Sequence, residues 1–294
     1  MKGYKPDMDT LKAFIIPNLD KQNSTECTRQ VCKELCRLGI IPCMENDKQD
    51  AFTDSCTKFG TLDNLMNTCD FVVTIGGDGT LIHAAKRAAF YSKPVVGVNV
   101  GRLGFMSFIE PSRLSVFNRI IDGSYATENR MMLEITKHSD SGRQAYYALN
   151  DAVISKGAKA QIIDLNVSCN GKGVSSYRAD GIILSTPTGS TAYNMAAGGP
   201  VISPNLECIT MTPICPHSLV SRTIIFSPAD VITVSGGQER NGSEIYLTVD
   251  GEDAVKVNPG DIVTVKKASL YVKLLNLELK DFFEVLNQKV LLRG

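Results

Sequence analysis

The sequence lacks an excess of charge of either sign. Its 31 lysines and arginines balance 31 aspartates and glutamates, so the formal net charge is zero. Proteins that bind nucleic acid or an anionic membrane surface through phosphate groups carry a surplus of basic residues. We therefore expect no nucleic-acid partner and no polybasic contact with a membrane.

The sequence also lacks a long hydrophobic run. No stretch of about 18 apolar residues occurs, which is the length that a membrane-spanning helix needs, and the first residues have no apolar signal-peptide core. Hydrophobic residues make up 43% and charged residues 21% of the 294 positions, which is ordinary for a globular protein of two domains. We therefore expect a cytoplasmic protein.

Paired Cys-x-x-Cys spacing is missing, although the chain has nine cysteines. Cys32 and Cys36 are four residues apart on a predicted helix, where a metal site or a redox pair is one interpretation. Free cysteine commonly behaves as a small buried hydrophobe, and cytosolic thiols stay reduced. We expect these cysteines to widen the apolar stripe of the helix, together with Cys27, Val31, Leu35 and Leu38.

A Walker loop is also missing, but a different glycine-rich turn is present. Residues 71–75 form a β-branched and aromatic run typical of a parallel strand, and a helical pattern follows. Between them, Gly76, Gly77 and Gly79 surround Asp78. Such glycines allow close approach to a ligand, and their amides can face phosphate oxygens at a helix start. A tight turn in which Asp78 only caps the helix is the alternative.

The first part of the chain alternates strands with helices. The predicted strands are residues 11–17, 40–44, 71–75 and 94–99, and the predicted helices are residues 24–38, 62–68, about 80 onward and 110–122. This alternation predicts an α/β domain with a doubly wound parallel sheet, residues 1–126. Ligands of such sheets lie beyond the carboxyl ends of the strands, so the Asp78 loop and residues 99–105 should share one edge.

The second part of the chain consists of short apolar or alternating runs separated by Gly, Asn, Asp and Pro. The predicted strands are residues 131–137, 144–149, 162–169, 181–184, 224–226, 231–235, 244–249 and 262–266. They predict an all-β sandwich over residues 127–279. Residues 191–197 and 282–290 have helical spacing, and we expect residues 280–294 to complete the first domain.

Three stretches of the second part are more polar than plain strands. Asn150 and Asp151 place an amide that suits a base edge beside a carboxylate that suits ribose hydroxyls, with a bulge or strand edge as the alternative. Residues 177–194 lead from a buried strand into a loop of hydroxyl groups, and Tyr193 offers a ring for stacking. Residues 248–253 carry three acids, which alone are typical of an Asp-Gly hairpin turn.

Taken together, these stretches closely resemble the ATP-dependent NAD kinase family. The matching segments are residues 76–79, 97–105, 129–134, 150–151, 180–194, 213–219 and 282–286. Gly-Gly-Asp-Gly is shared with phosphofructokinase-like and lipid kinases, whereas residues 180–194 are specific to this family. The resemblance implies transfer of the γ-phosphoryl group of ATP to the 2′-hydroxyl of the adenosine ribose of NAD, giving NADP, with Mg²⁺ as cofactor.

The resemblance also implies roles for single residues. Asp78 would be the catalytic base, a Mg²⁺ ligand, or both, and Gly76, Gly77 and Gly79 would bind phosphate. The residues implied to bind NAD are Asp78, Gly79, His83, Asn150, Asp151, Arg178, Asp180, Thr191, Ala192, Tyr193, Ala196 and Cys215. His83 is equally consistent with a structural role. The family generally forms homo-oligomers with the site at a domain and subunit boundary, which implies a homodimer or homotetramer.

Two positions depart from the family's pattern. Asp151 stands where glutamate is usual, so its carboxylate reaches less far toward a ribose. Glu252 stands where glutamine usually follows Asp-Gly, and its charge would repel phosphate groups, which leads to the hypothesis that the site favours NAD over NADP. Two other functions stay open: a kinase for a lipid or sugar hydroxyl, and a module that senses NAD(H) without chemistry.

Overall fold

The structure is a computed structural model that describes residues 10–53, 56–101, 104–106, 108–158, 161–218, 221–237 and 244–288. The chain divides into two compact units. Unit 1 falls within Met1–Asn129 and Val272–Gly294, and unit 2 is Arg130–Tyr271. Three residues of the family-like segments, Arg102, Leu103 and Leu219, lie outside the described residues, as do residues 289 and 290 of the predicted last helix.

Unit 1 contains a sheet and several helices, with elements numbered in chain order. Its strands are β1 (Lys12–Pro17), β2 (Ile41–Glu45), β3 (Lys58–Gly60), β4 (Phe71–Gly76), β5 (Val95–Asn99) and β6 (Phe108–Ile109). Its α-helices are α1 (Ser24–Arg37), α2 (Leu62–Thr68), α3 (Asp78–Phe90), α4 (Asn118–Asp122) and α6 (Phe282–Leu286), with 3₁₀ turns at Asn46–Lys48 and Pro111–Phe117. Among the described residues, no helix is long and apolar enough to cross a membrane.

The strands of unit 1 run parallel in the order β3-β2-β1-β4-β5, with β6 paired to β5. Strand β4 lies between β1 and β5, and all six of its residues are buried. Val73 and Ile75 pack in one core with Val31 and Leu35 of α1. The predicted α/β domain with a parallel sheet is confirmed, and the centrally placed β4 carries the glycine loop at its carboxyl end.

The prediction of one continuous helix over residues 110–122 is wrong. Pro111 begins a 3₁₀ segment in which Arg113 has non-helical angles of φ −119° and ψ 24°, and only α4 is α-helical. Pro111 itself is compatible with the start of a helix, since a first-turn N–H has no intrahelical partner, and the interruption lies at Arg113.

The prediction for the cysteines of α1 is partly wrong. Cys27 and Cys32 are buried in the apolar stripe, as expected. Cys36 instead lies on the flank of the helix and forms a disulfide with Cys56, with a Cα–Cα separation of 6.5 Å. Cys56 precedes β3, so folding brings two residues separated by 20 positions within bonding distance.

Unit 2 is built almost entirely of strands. They are β7 (Ala126–Ser139), β8 (Gly142–Ala148), β9 (Asp151–Lys156), β10 (Ile163–Cys169), β11 (Lys172–Ala179), β12 (Gly181–Ser185), β13 (Ile209–Ile214), β14 (Ile224–Phe226), β15 (Ile232–Gly236), β16 (Ile245–Val249), β17 (Val255–Val257) and β18 (Ile262–Asn276). A 3₁₀ turn at Thr188–Thr191 leads into the short α5 (Tyr193–Ala196).

The strands of unit 2 pair antiparallel and form a sandwich. One layer has the order β14-β13-β12-β9-β16-β17, and the other contains β11-β10-β15-β18, with β7 and β8 paired onward from β18. Their facing apolar residues make one core that includes Ile154, Leu165, Ile182, Met211 and Val263. The predicted all-β sandwich is confirmed.

Candidate active site

The glycine loop of unit 1 is fixed by the strands on either side of it. Gly76 pairs with Asn99 in the sheet, and its carbonyl oxygen accepts a hydrogen bond of 3.0 Å from Val100 N. Residues 76–79 and the loop after β5 therefore leave the same edge of the sheet, as predicted. A Cβ at Gly76 would lie 2.3 Å from Thr80 Oγ1, which explains a glycine at this position.

Asp78 is the first residue of α3, and Gly77 is its N-cap. The interpretation of Asp78 as the capping residue is therefore wrong. Its carboxylate is half-buried, and Oδ1 is shielded from solvent. A Cβ at Gly104 would lie 1.7 Å from this oxygen, so the carboxylate occupies the space that the missing side chain of Gly104 leaves.

A cleft of about 680 Å³ opens beside this loop. Gly79 and His83 line it, together with three basic side chains and one acid: Lys21, Lys48, Arg87 and Asp20. Lys21 lies directly beside the loop, since a Cβ at Gly77 would lie 2.6 Å from its Nζ. Basic groups beside a helix start form an anion-binding surface. The sequence interpretation missed Lys21 and Lys48, which are distant from Asp78 along the chain and belong to no motif.

In unit 2, side-chain hydrogen bonds hold the backbone at Asn150 and Asp151 in place. The Asp250 carboxylate accepts hydrogen bonds from the backbone N–H groups of Leu149, Asn150 and Asp151 at 2.8, 2.7 and 3.1 Å. Asp151 is the first residue of β9 and pairs with Ser185 in a regular ladder, so the bulge alternative is wrong. Residues 248–253 are thus more than a hairpin turn.

The opposite side of this segment is held by the loop after β12. Thr186 Oγ1 donates to Leu149 O at 2.6 Å, and Thr186 N donates to Asn150 O at 2.8 Å. A Cβ at Gly189 would lie 2.2 Å from the same Asn150 oxygen. The Asn150-Asp151 segment is therefore clamped from two sides.

Asp151 is 5% exposed. Burial, and to a smaller extent the charge of Asp250, raises the pKa of Asp151 to about 7. Near neutral pH this carboxyl group is therefore partly protonated, and it can donate a hydrogen bond as well as accept one. Asn150 is half-buried.

Most polar side chains of residues 186–194 bond within the loop itself. Ser190 Oγ donates to Pro187 O at 2.6 Å, and Thr191 Oγ1 donates to Thr188 O at 3.4 Å. Asn194 is fully buried, and its Oδ1 accepts from Thr212 Oγ1 at 2.6 Å. These contacts hold the loop in shape.

The ligand-facing candidates of this loop are the groups that stay accessible. Tyr193 is 47% exposed, so its ring is open for stacking. Ala196 is exposed and Ala192 is half-buried, whereas Thr191 is 9% exposed. Thr191 can therefore offer little more than backbone and a small part of its side chain.

Arg178 and Asp180 each have a charged neighbour that the sequence interpretation did not identify. Asp180 Oδ1 lies 2.7 Å from Lys156 Nζ, and Arg178 Nε lies 3.4 Å from Asp164 Oδ1. The Arg178 side chain is 59% exposed. Both charges are thus partly balanced, and both remain accessible to a ligand.

Cys215 lies near the same two residues through its flanking backbone. Asp180 N donates to Ile214 O at 3.0 Å, and His217 N donates to Arg178 O at 2.8 Å. Cys215 itself is exposed and has a φ of 44°. The structure thus brings Arg178, Asp180 and Cys215 close together along the backbone of β11, β12 and β13.

These features define a class of protein. A glycine loop that holds an acid at the carboxyl end of a parallel sheet, beside a basic cleft, is the arrangement of an enzyme that binds phosphorylated ligands. Within unit 2, Asn150 and Asp151 lie on a backbone held by hydrogen bonds with Asp250 and Thr186.

Comparison with known families identifies the particular one. Residues 13–125 match the ATP-NAD kinase N-terminal domain, and residues 149–277 match the ATP-NAD kinase C-terminal domain. The chain belongs to the ATP-NAD kinase family.

Curated relatives agree with this assignment. The NAD kinase of Thermoanaerobacter sp. (strain X514) is 36% identical over 282 residues, which cover 95% of this chain and 98% of the relative. The NAD kinase of Symbiobacterium thermophilum is 45% identical over 223 residues, which cover 75% of this chain and 78% of the relative.

Two solved structures share the fold. Yeast NADH kinase complexed with NADH has a TM-score of 0.85 at 24% identity, and the match covers 96% of this chain and 87% of that one. An NAD kinase from Archaeoglobus fulgidus in complex with ATP has a TM-score of 0.72 at 23% identity, and the match covers 97% of this chain and 100% of that one.

Proposed function

We propose that this NAD kinase transfers the γ-phosphoryl group of ATP to the 2′-hydroxyl of the adenosine ribose of NAD at Asp78. The observation that supports the proposal is the placement of Asp78 at the start of α3 within the glycine loop, where the next residue, Gly79, lines a cleft together with basic side chains. Residues 1–126 with 280–294 would bind the donor nucleotide, and residues 127–279 would bind NAD.

The chemistry needs a base, because a sugar hydroxyl is a weak nucleophile until its proton is removed. Asp78 accepts the 2′-hydroxyl proton as that oxygen bonds to the γ-phosphorus of ATP. The bond to the bridging oxygen breaks, and ADP leaves with the electron pair. The amides of Gly76, Gly77 and Gly79 bind phosphate oxygens, and Lys21 balances their charge.

The polar residues of unit 2 recognise the dinucleotide. Asn150 bonds the adenine edge, Asp151 bonds the ribose, and Tyr193 stacks on the base. The remaining contacts come from residues near both ends of β12, after β13 and along α3: Gly79, His83, Arg178, Asp180, Thr191, Ala192, Ala196 and Cys215. Arg178 and Asp180 lie toward the nicotinamide half.

The residues at the loop fit Mg²⁺ if substrate phosphates and water supply most of its ligands. Among the described residues, no group of three or more His, Cys, Asp or Glu side chains could hold a metal ion. Mg²⁺ is commonly bound by one or two carboxylates together with substrate phosphates and water, so Asp78 alone suffices as the protein ligand. When bound, the ion would neutralise charge on the triphosphate.

Asp78→Asn tests the role of this carboxylate. We expect kcat for NADP formation from NAD, ATP and Mg²⁺ to fall by about 10²- to 10⁴-fold, because the base is lost, while calorimetry shows NAD affinity preserved. Asp70→Asn, at the other end of β4, is the matched control and should leave kcat unchanged. Loss of turnover and NAD affinity to the same degree would instead favour an NAD(H)-sensing module.

Location and assembly are part of the proposal. We place the enzyme in the cytoplasm as a homodimer or homotetramer. Fractionation of cells tests the location. Light scattering on the purified protein tests the oligomeric state, and a monomer that turns over at full rate contradicts the proposed assembly.

A further inference from the structure

We propose that Asp250 is a positioning residue that sets the adenosine end of the NAD site by fixing the backbone of residues 149–151. The inference rests on the proposed function, since it assigns a role within the same site. Asp250 does not itself contact the dinucleotide in this proposal. It acts through Asn150 and Asp151, which do.

The geometry that carries the inference is a set of three hydrogen bonds to one carboxylate. Asp250 Oδ1 accepts from Asn150 N at 2.7 Å and from Asp151 N at 3.1 Å, and Oδ2 accepts from Leu149 N at 2.8 Å. Hydrogen bonds to a charged acceptor are stronger than neutral ones. Three consecutive amides that converge on one side chain fix the orientation of the two intervening peptide planes.

Asp250 is itself placed by the strand before it. It follows β16, whose last residue, Val249, pairs with Ala152 of β9. Its backbone N donates to Asp151 O at 2.9 Å, and its φ of 49° lies in the left-handed region. That conformation turns the carboxylate back over the start of β9, and a residue with a side chain adopts it at a cost.

The backbone would not collapse without Asp250, because the loop after β12 holds the other side. Thr186 bonds both Leu149 O and Asn150 O, and the β9 ladder continues from Asp151. Removing the carboxylate therefore frees the amides but leaves the strand in place. The expected result is a folded enzyme in which Asn150 and Asp151 no longer point in a fixed direction.

The experiment is a variant series with two dinucleotides. Asp250→Ala removes all three bonds, while Asp250→Asn keeps an oxygen for Asn150 N and Asp151 N and loses the acceptor for Leu149 N. Asp253→Asn, an exposed acid on the same turn, is the matched control. Initial rates are measured with varied NAD, with varied ATP, and with nicotinamide hypoxanthine dinucleotide, which lacks the adenine amino group.

We expect Asp250→Ala to raise the KM for NAD at least about tenfold and to leave the KM for ATP within about twofold. Its preference for NAD over the hypoxanthine analogue should fall toward one, with Asp250→Asn intermediate. An unchanged KM for NAD, or an equal loss with both dinucleotides, overturns the inference. If Asp250→Ala does not fold, Asp250→Asn decides by the same criteria. An inactive wild-type protein would instead refute the proposed function.

Discussion

Asp151 is a carboxyl group buried beside a second carboxyl group. Its pKa is raised from the ordinary 3.8 to about 7, first by burial and then by the charge of Asp250. The folded protein therefore binds this proton more tightly than the unfolded chain does. The stability that this proton confers is complete below about pH 4 and is lost as the pH rises through about 7.

Asp151→Asn should remove this pH dependence. Between pH 5 and 8, the free energy of unfolding should fall further for the wild type than for the variant, with a difference of a few kcal/mol at most, on the order expected for a shift of this size. Urea unfolding at both pH values measures it. The same decrease in both proteins would contradict the assigned ionisation.

Glu252 is exposed and follows Asp250-Gly251 on the same turn. Our hypothesis is that a carboxylate at this position repels the additional phosphate of NADP, whereas the glutamine usual in the family would not. Glu252→Gln should therefore strengthen inhibition by NADP several-fold, with the KM for NAD little changed. Product-inhibition kinetics measure this effect, and an unaltered inhibition constant would refute the hypothesis.

Among the described helices, α1 carries a covalent link to another segment of the chain. The Cys36–Cys56 disulfide joins it to the chain just before β3, an edge strand of three residues. So short a strand has few ladder bonds with which to hold its place. The disulfide restricts the unfolded chain and fixes the approach to β3.

Cys36→Ser should lower the free energy of unfolding by about 3 kcal/mol in the oxidised protein, the value expected for a loop of this length. Cys56→Ser should cause the same loss, and the double variant should add nothing to it. Chemical unfolding with and without dithiothreitol is the measurement. A difference between wild type and variant that persists in full under reduction would show that packing, rather than the disulfide, is responsible.

Several elements could not be predicted from local pattern. In β9 and β12, residues on both faces of the strand are buried, so apolar and polar residues alternate only weakly. The sequence pattern predicts β12 but not β9. Strand β11 has too few apolar residues to be predicted, because its first five residues are exposed and include Gly and Ser. The helix α2, whose pattern and ends are clear, was predicted at its observed bounds.

For the whole molecule, the two-domain architecture and the family follow from the sequence, because local patterns and motif order are both visible in it. The supports of the site do not follow. Asp250 and Asn150 are separated by 100 positions, and Lys21 belongs to no motif, so only folding shows that they meet their partners. The sequence interpretation therefore proposed groups for contact with substrates, but it did not predict which residues hold the backbone of Asn150 and Asp151 or lie beside the glycine loop.

The contact between Asp78 and Gly104 has a consequence for how this protein can change over generations. A side chain at position 104 would displace the acid. We therefore expect position 104 to stay glycine wherever the acid keeps this placement. Selection for the reactive group then constrains a second residue that has no side chain of its own.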